Sequence, residues 1–268
     1  MVAIHSEFRR LWSYRRFIAS VVLREFKGKF NRSVLGGVWL LLGPFTMISI
    51  YTLVFSFVMN TRFPGAAGAY SYSIFICAGL LPWQWFSELL SRNAGLFLDN
   101  ASLIKKNSFP RMALPVINFL SSGINFLLSA GIFLVFLLVI GQWPGIYLLL
   151  LTLPLLALQS LFGGILGFLL GILNVFFRDV GNALSLLLQF WFWLTPIVYS
   201  AGIIRPDLAG FLGFNPMVPI VQGYQQIFLE RAMPDWSALG PLLALTLLLA
   251  AITAWFYHRV GNEIVDEL

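Results

Sequence analysis

The stretch MALPVINFLSSGINFLLSAGIFLVFLLVIGQWPGIYLLLLTLPLLALQSLFGGILGFLLGILNVFF, residues 112–177, runs for 66 residues without one Asp, Glu, Lys or Arg. A helix rising ~1.5 Å per residue needs about 20 apolar residues to cross a hydrocarbon core of roughly 30 Å. The stretch therefore holds two membrane spans, joined by a turn at Gly141-Gln142-Trp143-Pro144-Gly145. Outward from it lie uncharged runs of 29 residues at 33–61, 25 at 63–87, 25 at 180–204 and 22 at 236–257. Each predicts one more helix. The spacing gives six spans, over 36–59, 72–87, 113–140, 147–174, 180–200 and 237–257, the second being the weakest because Pro82 breaks it.

Composition agrees with this reading. The chain is 59% hydrophobic and 10% charged, with a mean hydropathy of +0.85, whereas about a quarter of a soluble domain's residues are charged. The expected fold is an all-α integral membrane protein with a cytoplasmic segment at 1–35 and a six-helix transmembrane domain at 36–268. The first 33 residues are too long and too charged for a cleavable signal peptide. Cys77 is the single cysteine, so no internal disulfide forms.

Six spans put both termini on one side, and the basic residues say which. Eight Lys and Arg lie in 1–35 and four in 88–112; Arg178 and Arg259 bring that side to fourteen, against Arg62, Arg205 and Arg231 on the other. The positive-inside rule then places both termini in the cytoplasm. The net charge of +6 is a topology signal, and nucleic acid is excluded as a partner.

Residues 6–32 alternate apolar and basic groups, with Ile18, Val21, Val22 and Phe26 at helical spacing beside Arg15, Arg16, Arg24, Lys27 and Lys29. This predicts an amphipathic helix along the cytoplasmic membrane surface, acting as a basic lipid anchor or as a dock for a partner protein. The loop at 88–111 mixes polar residues with Leu96, Phe97, Leu98, Leu103, Ile104 and Phe109. A short amphipathic helix near 94–105 could present Leu103, Lys105 and Phe109 to another protein, or fold back on its own bundle.

Gly163, Gly167 and Gly171 recur at four-residue spacing and predict close helix packing, within one protomer or between two. Phe190, Trp191, Phe192, Trp193 and Tyr199 face lipid, or form a wall on which sugar rings stack. Between 200 and 236 lies the largest extracytoplasmic segment, whose uncharged part at 215–228 is too short to cross. Its length suits a pair of re-entrant half-helices capping the outer end of a pathway.

The sequence has no GxxxxGK[ST] phosphate loop, no metal-ligand spacing, and no Asp, Glu, Lys or Arg inside any predicted span. Ion-coupled transport and enzymatic work on lipid-linked sugars both need such groups. Asp179 beside Arg178 and Asp235 beside Trp236 sit at membrane edges, as local ion pairs or caps.

Several strings in order resemble one family. Leu23-Arg24-Glu25-Phe26-Lys27, Ser33-Val34-Leu35-Gly36-Gly37-Val38-Trp39, Gly43-Pro44, Phe176-Phe177-Arg178-Asp179-Val180, Thr195-Pro196-Ile197-Val198-Tyr199, Asn215-Pro216 and Pro234-Asp235-Trp236 are similar to motifs of permease subunits of ABC-type polysaccharide exporters. The resemblance implies a homodimer bound to two copies of a separate ATP-binding cassette ATPase. That complex would export a lipid-linked polysaccharide such as O-antigen, capsule or teichoic acid across a bacterial inner membrane. No cofactor is expected on this chain, ATP and Mg being carried by the ATPase.

The same resemblance assigns roles to residues. The ATPase dock falls on Arg24, Lys27, Lys29 and Arg32, with Asn100, Leu103, Lys105, Lys106, Phe109 and Arg111. The translocation path falls on Trp39, Phe45, Tyr51 and Phe55 of the first span and Phe190, Trp193 and Tyr199 of the fifth. The outer gate falls on Asn215, Pro216, Tyr224, Asp235 and Trp236. Two other functions stay open: a related exporter permease for a drug, lipid or oligosaccharide, and a membrane enzyme of lipid-linked glycan synthesis.

Overall fold

The computed structural model describes residues 12–30, 38–54, 70–105, 111–203, 210, 212–261 and 263–268. Among them every regular element is helical. In chain order the α-helices are α1 (Arg15–Phe30), α2 (Val38–Tyr51), α3 (Ser71–Ala94), α4 (Leu96–Asp99), α5 (Ala101–Ile104), α6 (Ala113–Val139), α7 (Ile146–Leu150), α8 (Thr152–Phe176), α9 (Asp179–Leu194), α10 (Val218–Gln225), α11 (Gly240–Val260) and α12 (Glu263–Glu267), with short 3-10 or π turns at Ala201–Ile203, Gln226–Glu230 and Ser237–Leu239.

Four helical stretches are long and apolar enough to cross a membrane: Ser71–Ala94, Ala113–Val139, Ile146–Phe176 and Ser237–Val260. They coincide with the second, third, fourth and sixth expected spans. α9 covers the fifth but has 16 residues, which reach ~24 Å, short of a ~30 Å core. α2 covers the start of the first and passes into a π-type turn before residue 55.

Pro82 does not break α3, contrary to the sequence expectation; the helix runs through it to Ala94. The missing N–H frees the Ala78 carbonyl one turn back, a loss that neighbouring helices make tolerable in a packed bundle. Beside it, Gln159 of α8 donates its Nε2 to Pro82's own carbonyl at 2.7 Å and ties the two helices at this level. The helix also extends past the expected end at 87, because Glu88 and Arg92 stand one turn apart and pair at 3.1 Å.

α3 is the hub. Its most extensive contact is with α8, followed by α6, α10 and α9. The glycine stripe explains the α3–α8 contact. A Cβ on Gly163 would stand 3.0 Å from the Phe86 ring, one on Gly167 would meet Asn93 Cβ at 2.8 Å, and one on Gly171 would meet the Asn93 carbonyl at 2.4 Å. The stripe thus packs within one protomer, and small residues let the two backbones approach closely.

The hairpin between α6 and α7 turns at Gly141 and Gly145, whose φ of 71° and 92° suit residues without a Cβ. α1 packs on α6, with Ile18 and Val22 buried in a cluster that includes Leu96, Phe97, Ile104, Ile117 and Ile172.

Candidate functional site

α1 joins the bundle at one end through polar as well as apolar contacts. Arg92 of α3 pairs with Glu25 of α1 and donates Nε to Glu88 Oε1 at 3.1 Å. Ser121 of α6 donates to Glu25 Oε2 at 2.7 Å, and Asn125 donates to Glu88 Oε1 at 2.8 Å. Asn118 adds bonds of 3.0 Å to the Arg92 carbonyl and to Asn93 Oδ1. One guanidinium between two carboxylates therefore ties α1, α3 and α6 together.

The expected docking residues lie around this end. Arg24 and Lys27 are exposed on α1, as is Lys105 after α5. Leu103 is half-buried, and Asn100 turns inward to donate to the Leu96 carbonyl at 2.9 Å. Arg111 donates to the Gly261 carbonyl, fastening the start of α6 to the C-terminal end of α11. Arg32, Lys106 and Phe109 lie outside the described residues, as does the Lys29 side chain. Leu96, Phe97 and Ile104 are buried, so the loop does fold back on its own bundle while leaving a polar rim.

The expected path residues fall on two helices that share α3 but make no extensive contact with each other. Trp39 and Phe45 on α2 are exposed, as are Phe190 and Trp193 on α9. Tyr51 is half-buried against the core, and Phe55 lies outside the described residues. The aromatic run of α9 divides by face. Trp191 turns inward, stacking edge-on to Trp83, Phe86 and Phe162, while Phe190 and Trp193 point away.

At the opposite end Asn215 is a clip. Its Oδ1 accepts from Trp191 Nε1 at 2.8 Å and from the Met217 N–H at 3.0 Å. Its Nδ2 donates to the Leu194 carbonyl at 3.1 Å and to Thr195 Oγ1 at 3.0 Å. The end of α9 is thereby held to the approach of α10. Tyr199 donates to the Trp193 carbonyl at 2.8 Å, Tyr72 to the Val198 carbonyl at 2.5 Å, and Gln225 to the Pro196 carbonyl at 3.1 Å.

α10 is buried through Val218, Ile220, Val221 and Tyr224, and the Tyr224 hydroxyl has no hydrogen-bond partner among the described residues. Pro216 is half-buried and Trp236 is exposed. Asp235 caps the last helical stretch, accepting from Ser237 Oγ at 2.6 Å and its N–H at 3.0 Å. Across 215–228, where the sequence suggests a pair of half-helices, α10 runs directly into a π-type turn at Gln226–Glu230.

Sequence reasoning missed the Glu25–Arg92–Glu88 triad, although Glu88 and Arg92 at helical spacing were its visible signal. It also missed Asn174 of α8, which donates to the Ala94 carbonyl at 3.0 Å and accepts from the Gly181 N–H at 3.0 Å. One amide so aligns the end of α3 with the start of α9. No group of three metal-ligating side chains occurs among the described residues.

Comparisons with known proteins fit this architecture. Residues 16–229 match the family described as ABC-2 type transporter. The chain is 35% identical to the O-antigen export system permease protein RfbA of Myxococcus xanthus over 97% of its own length and 98% of the relative's. It is 30% identical to the O-antigen export system permease protein RfbA of Klebsiella pneumoniae over 91% and 92%. At 23% identity over 83% of both chains it resembles the polysialic acid transport protein KpsM of Escherichia coli. The chain belongs to the membrane-spanning ABC-2 type transporter family.

Proposed function

We propose that this protein is the permease of an exporter that moves a lipid-linked polysaccharide across a bacterial cytoplasmic membrane. The observation that carries the reading is the match to O-antigen export permeases along nearly the whole chain. An amphipathic α1 clamped to the bundle while Arg24 and Lys27 face outward supports it. A separate ATPase, in two copies on a permease homodimer, supplies ATP and Mg; it docks on α1 and on the rim after α5.

In this reading α2 and α9 complete the first and fifth of six spans, both termini are cytoplasmic, and α10 belongs to a re-entrant outer gate. Exposed rings on α2 and α9 bind sugar rings by stacking, which is weak per unit and indifferent to position along a polymer. Such a path lets a chain slide without a deep resting site. Closure of the ATPases pushes on α1, and the triad passes that push to α3 and α6.

Deleting the gene tests the function. Surface polysaccharide should disappear while glycan on its lipid carrier accumulates inside the cell. Loss of both pools would instead indicate a synthetic enzyme, and no change in either would end the polysaccharide assignment. Replacing Lys105 and Lys106 with Glu should uncouple ATP hydrolysis from export, and normal export in that variant would move the dock elsewhere.

A further inference from the structure

At the end of the bundle that carries α1, two arginines are engaged by the protein itself. Arg92 pairs with Glu25 and Glu88, and Arg111 donates to the Gly261 carbonyl. Arg259, in the last turn of α11, is different. Its guanidinium carbon lies 5.8 Å from the centroid of the Trp255 ring, and it makes no hydrogen bond or ion pair among the described residues. Glu263 stands four positions on, where a continuous helix would bring the two charges together. The helix instead ends before Gly261, and α12 packs on α8 with Ile264 fully buried. The cation is thereby parted from that acid.

Arg259 also completes a strip. Leu248, Ile252, Trp255 and Arg259 follow one another at helical spacing, and all are exposed. At ~3.6 residues per turn they lie roughly 130° around α11 from Leu242, Thr246 and Thr253, the buried face of a helix whose extensive contact is with α8. From Leu248 to Arg259 the strip measures ~16 Å, about half of a ~30 Å hydrocarbon core. One lipid of one leaflet therefore covers it, with an acyl chain on Leu248 and Ile252, the glycerol region on the indole and the headgroup at the guanidinium.

We infer that Trp255 and Arg259 form a binding site for an anionic phospholipid of the surrounding bilayer, held by its phosphate. In a helix each Cα–Cβ bond tilts toward the N-terminus, which at this end of α11 is toward the membrane, so the guanidinium stays at headgroup depth. The indole face attracts the cation while its N–H edges remain open to phosphate oxygens. A helix C-terminus disfavours anions, yet here the Tyr257 carbonyl accepts the Gly261 N–H at 2.9 Å and the Gly261 carbonyl accepts from Arg111. A zwitterionic lipid brings an ammonium that competes for its own phosphate and meets no carboxylate on the strip. The site therefore prefers a headgroup of net negative charge, whatever the transporter carries.

The test takes the full-length permease in micelles holding equal amounts of phosphatidylglycerol and phosphatidylethanolamine, and counts the retained lipids by native mass spectrometry. The parent should keep phosphatidylglycerol in preference. Arg259→Gln should lower that preference about five-fold, the ~1 kcal/mol that one cation contributes at an anionic surface. Arg259→Lys should restore part of it, since an ammonium binds phosphate as a point charge without the planar fork. Trp255→Leu, which keeps the strip apolar, should lower it by a smaller factor. Arg178→Gln removes an exposed arginine at the same end of the bundle and should leave the preference unchanged. Equal losses in Arg259→Gln and Arg178→Gln would overturn the inference, because charge at that end would then act diffusely. So would an unchanged preference in both Arg259→Gln and Trp255→Leu, or a polyprenyl diphosphate as the lipid that Arg259→Gln releases.

Discussion

α3 and α6 are both long apolar helices, yet 83% of the most apolar part of α3 is buried in the protein against 17% for α6. The ranking by apolarity runs the other way: α6 is the most apolar of the four long helices and α3 the least. In water the most apolar helix would seek the interior. In a bilayer lipid tails are as apolar as Leu, so burial sorts helices by close packing and by polar groups needing partners. α3 has both, in the backbone contact with the α8 glycines and in Asn93, Ser71 and Ser73. α6 turns Leu127, Val135, Leu138 and Val139 outward.

The sharpest way to break this comparison is to insert side chains. Gly171→Leu drives a Cβ to 2.4 Å from the Asn93 carbonyl, and backbone cannot step aside as a side chain can. The cost should reach about 3 kcal/mol, seen as a collapsed thermal midpoint of the purified permease in detergent. Gly164→Ala on the same helix, with nothing within 4 Å of the new Cβ, and Leu127→Ala on α6 should each stay within ~0.5 kcal/mol. Equal losses at Gly171 and Leu127 would show that burial does not separate the two helices.

Removing the cation of the triad comes next. Arg92→Leu leaves Glu25 and Glu88 facing one another where their side chains are 28% and 32% exposed. A fully buried pair would lose several kcal/mol; partial solvent screening reduces the expected loss to about 2 kcal/mol. Replacing Glu25 by Gln in the same chain should restore part of it. A double-mutant cycle of denaturation free energies reads the coupling, and additivity within error would show that α1 is held by Ile18 and Val22 alone.

The four long helices were legible because 20 apolar residues in a row have few other fates, and the turn at Gly141 and Gly145 because glycines mark where φ turns positive. What stayed hidden was relational. Nothing in the periodicity of α3 shows that it will sit at the centre of the bundle with Pro82 buried, so the sequence predicts a break where the helix runs on. The glycine stripe was visible, but not that its partner is Asn93. The proposed docking residues could be placed on segments, whereas the burial of Leu96, Phe97 and Ile104 beside them depends on the distant Phe168 and Ile172. Asn215 stood in a quoted motif; its role required Trp191, 24 positions away.

That clip gives a smaller effect. Asn215→Leu deprives Trp191 Nε1, the Met217 N–H and Thr195 of their partner at a half-buried site, a loss of about 1–2 kcal/mol. Because the clip joins α9 to α10 and not to α3, hydrogen exchange should speed up in those two elements while the α3–α8 contact keeps its protection. Faster exchange throughout would mean that the hub depends on the outer end, contrary to the comparison.

The smallest effect belongs to the periphery. Asp235 caps the stretch leading into α11, and the Ser237 hydroxyl, then its backbone N–H, hold the carboxyl below its ordinary value. A carboxyl lowered on folding contributes stability above its unfolded value of about 3.9 and loses it as pH falls through the lower folded value. The cap is thus complete at neutral pH and fades only in strong acid. Thermal midpoints from pH 7 down to pH 2 should converge for Asp235→Asn and the parent, since both lose or lack the charge there. The carboxyl is fully exposed, so the separation at neutral pH should be slight beside those at Gly171 and Arg92. A large separation would mean that the start of α11 is tied into the hub after all, and that exposure to lipid does not make a helix energetically independent.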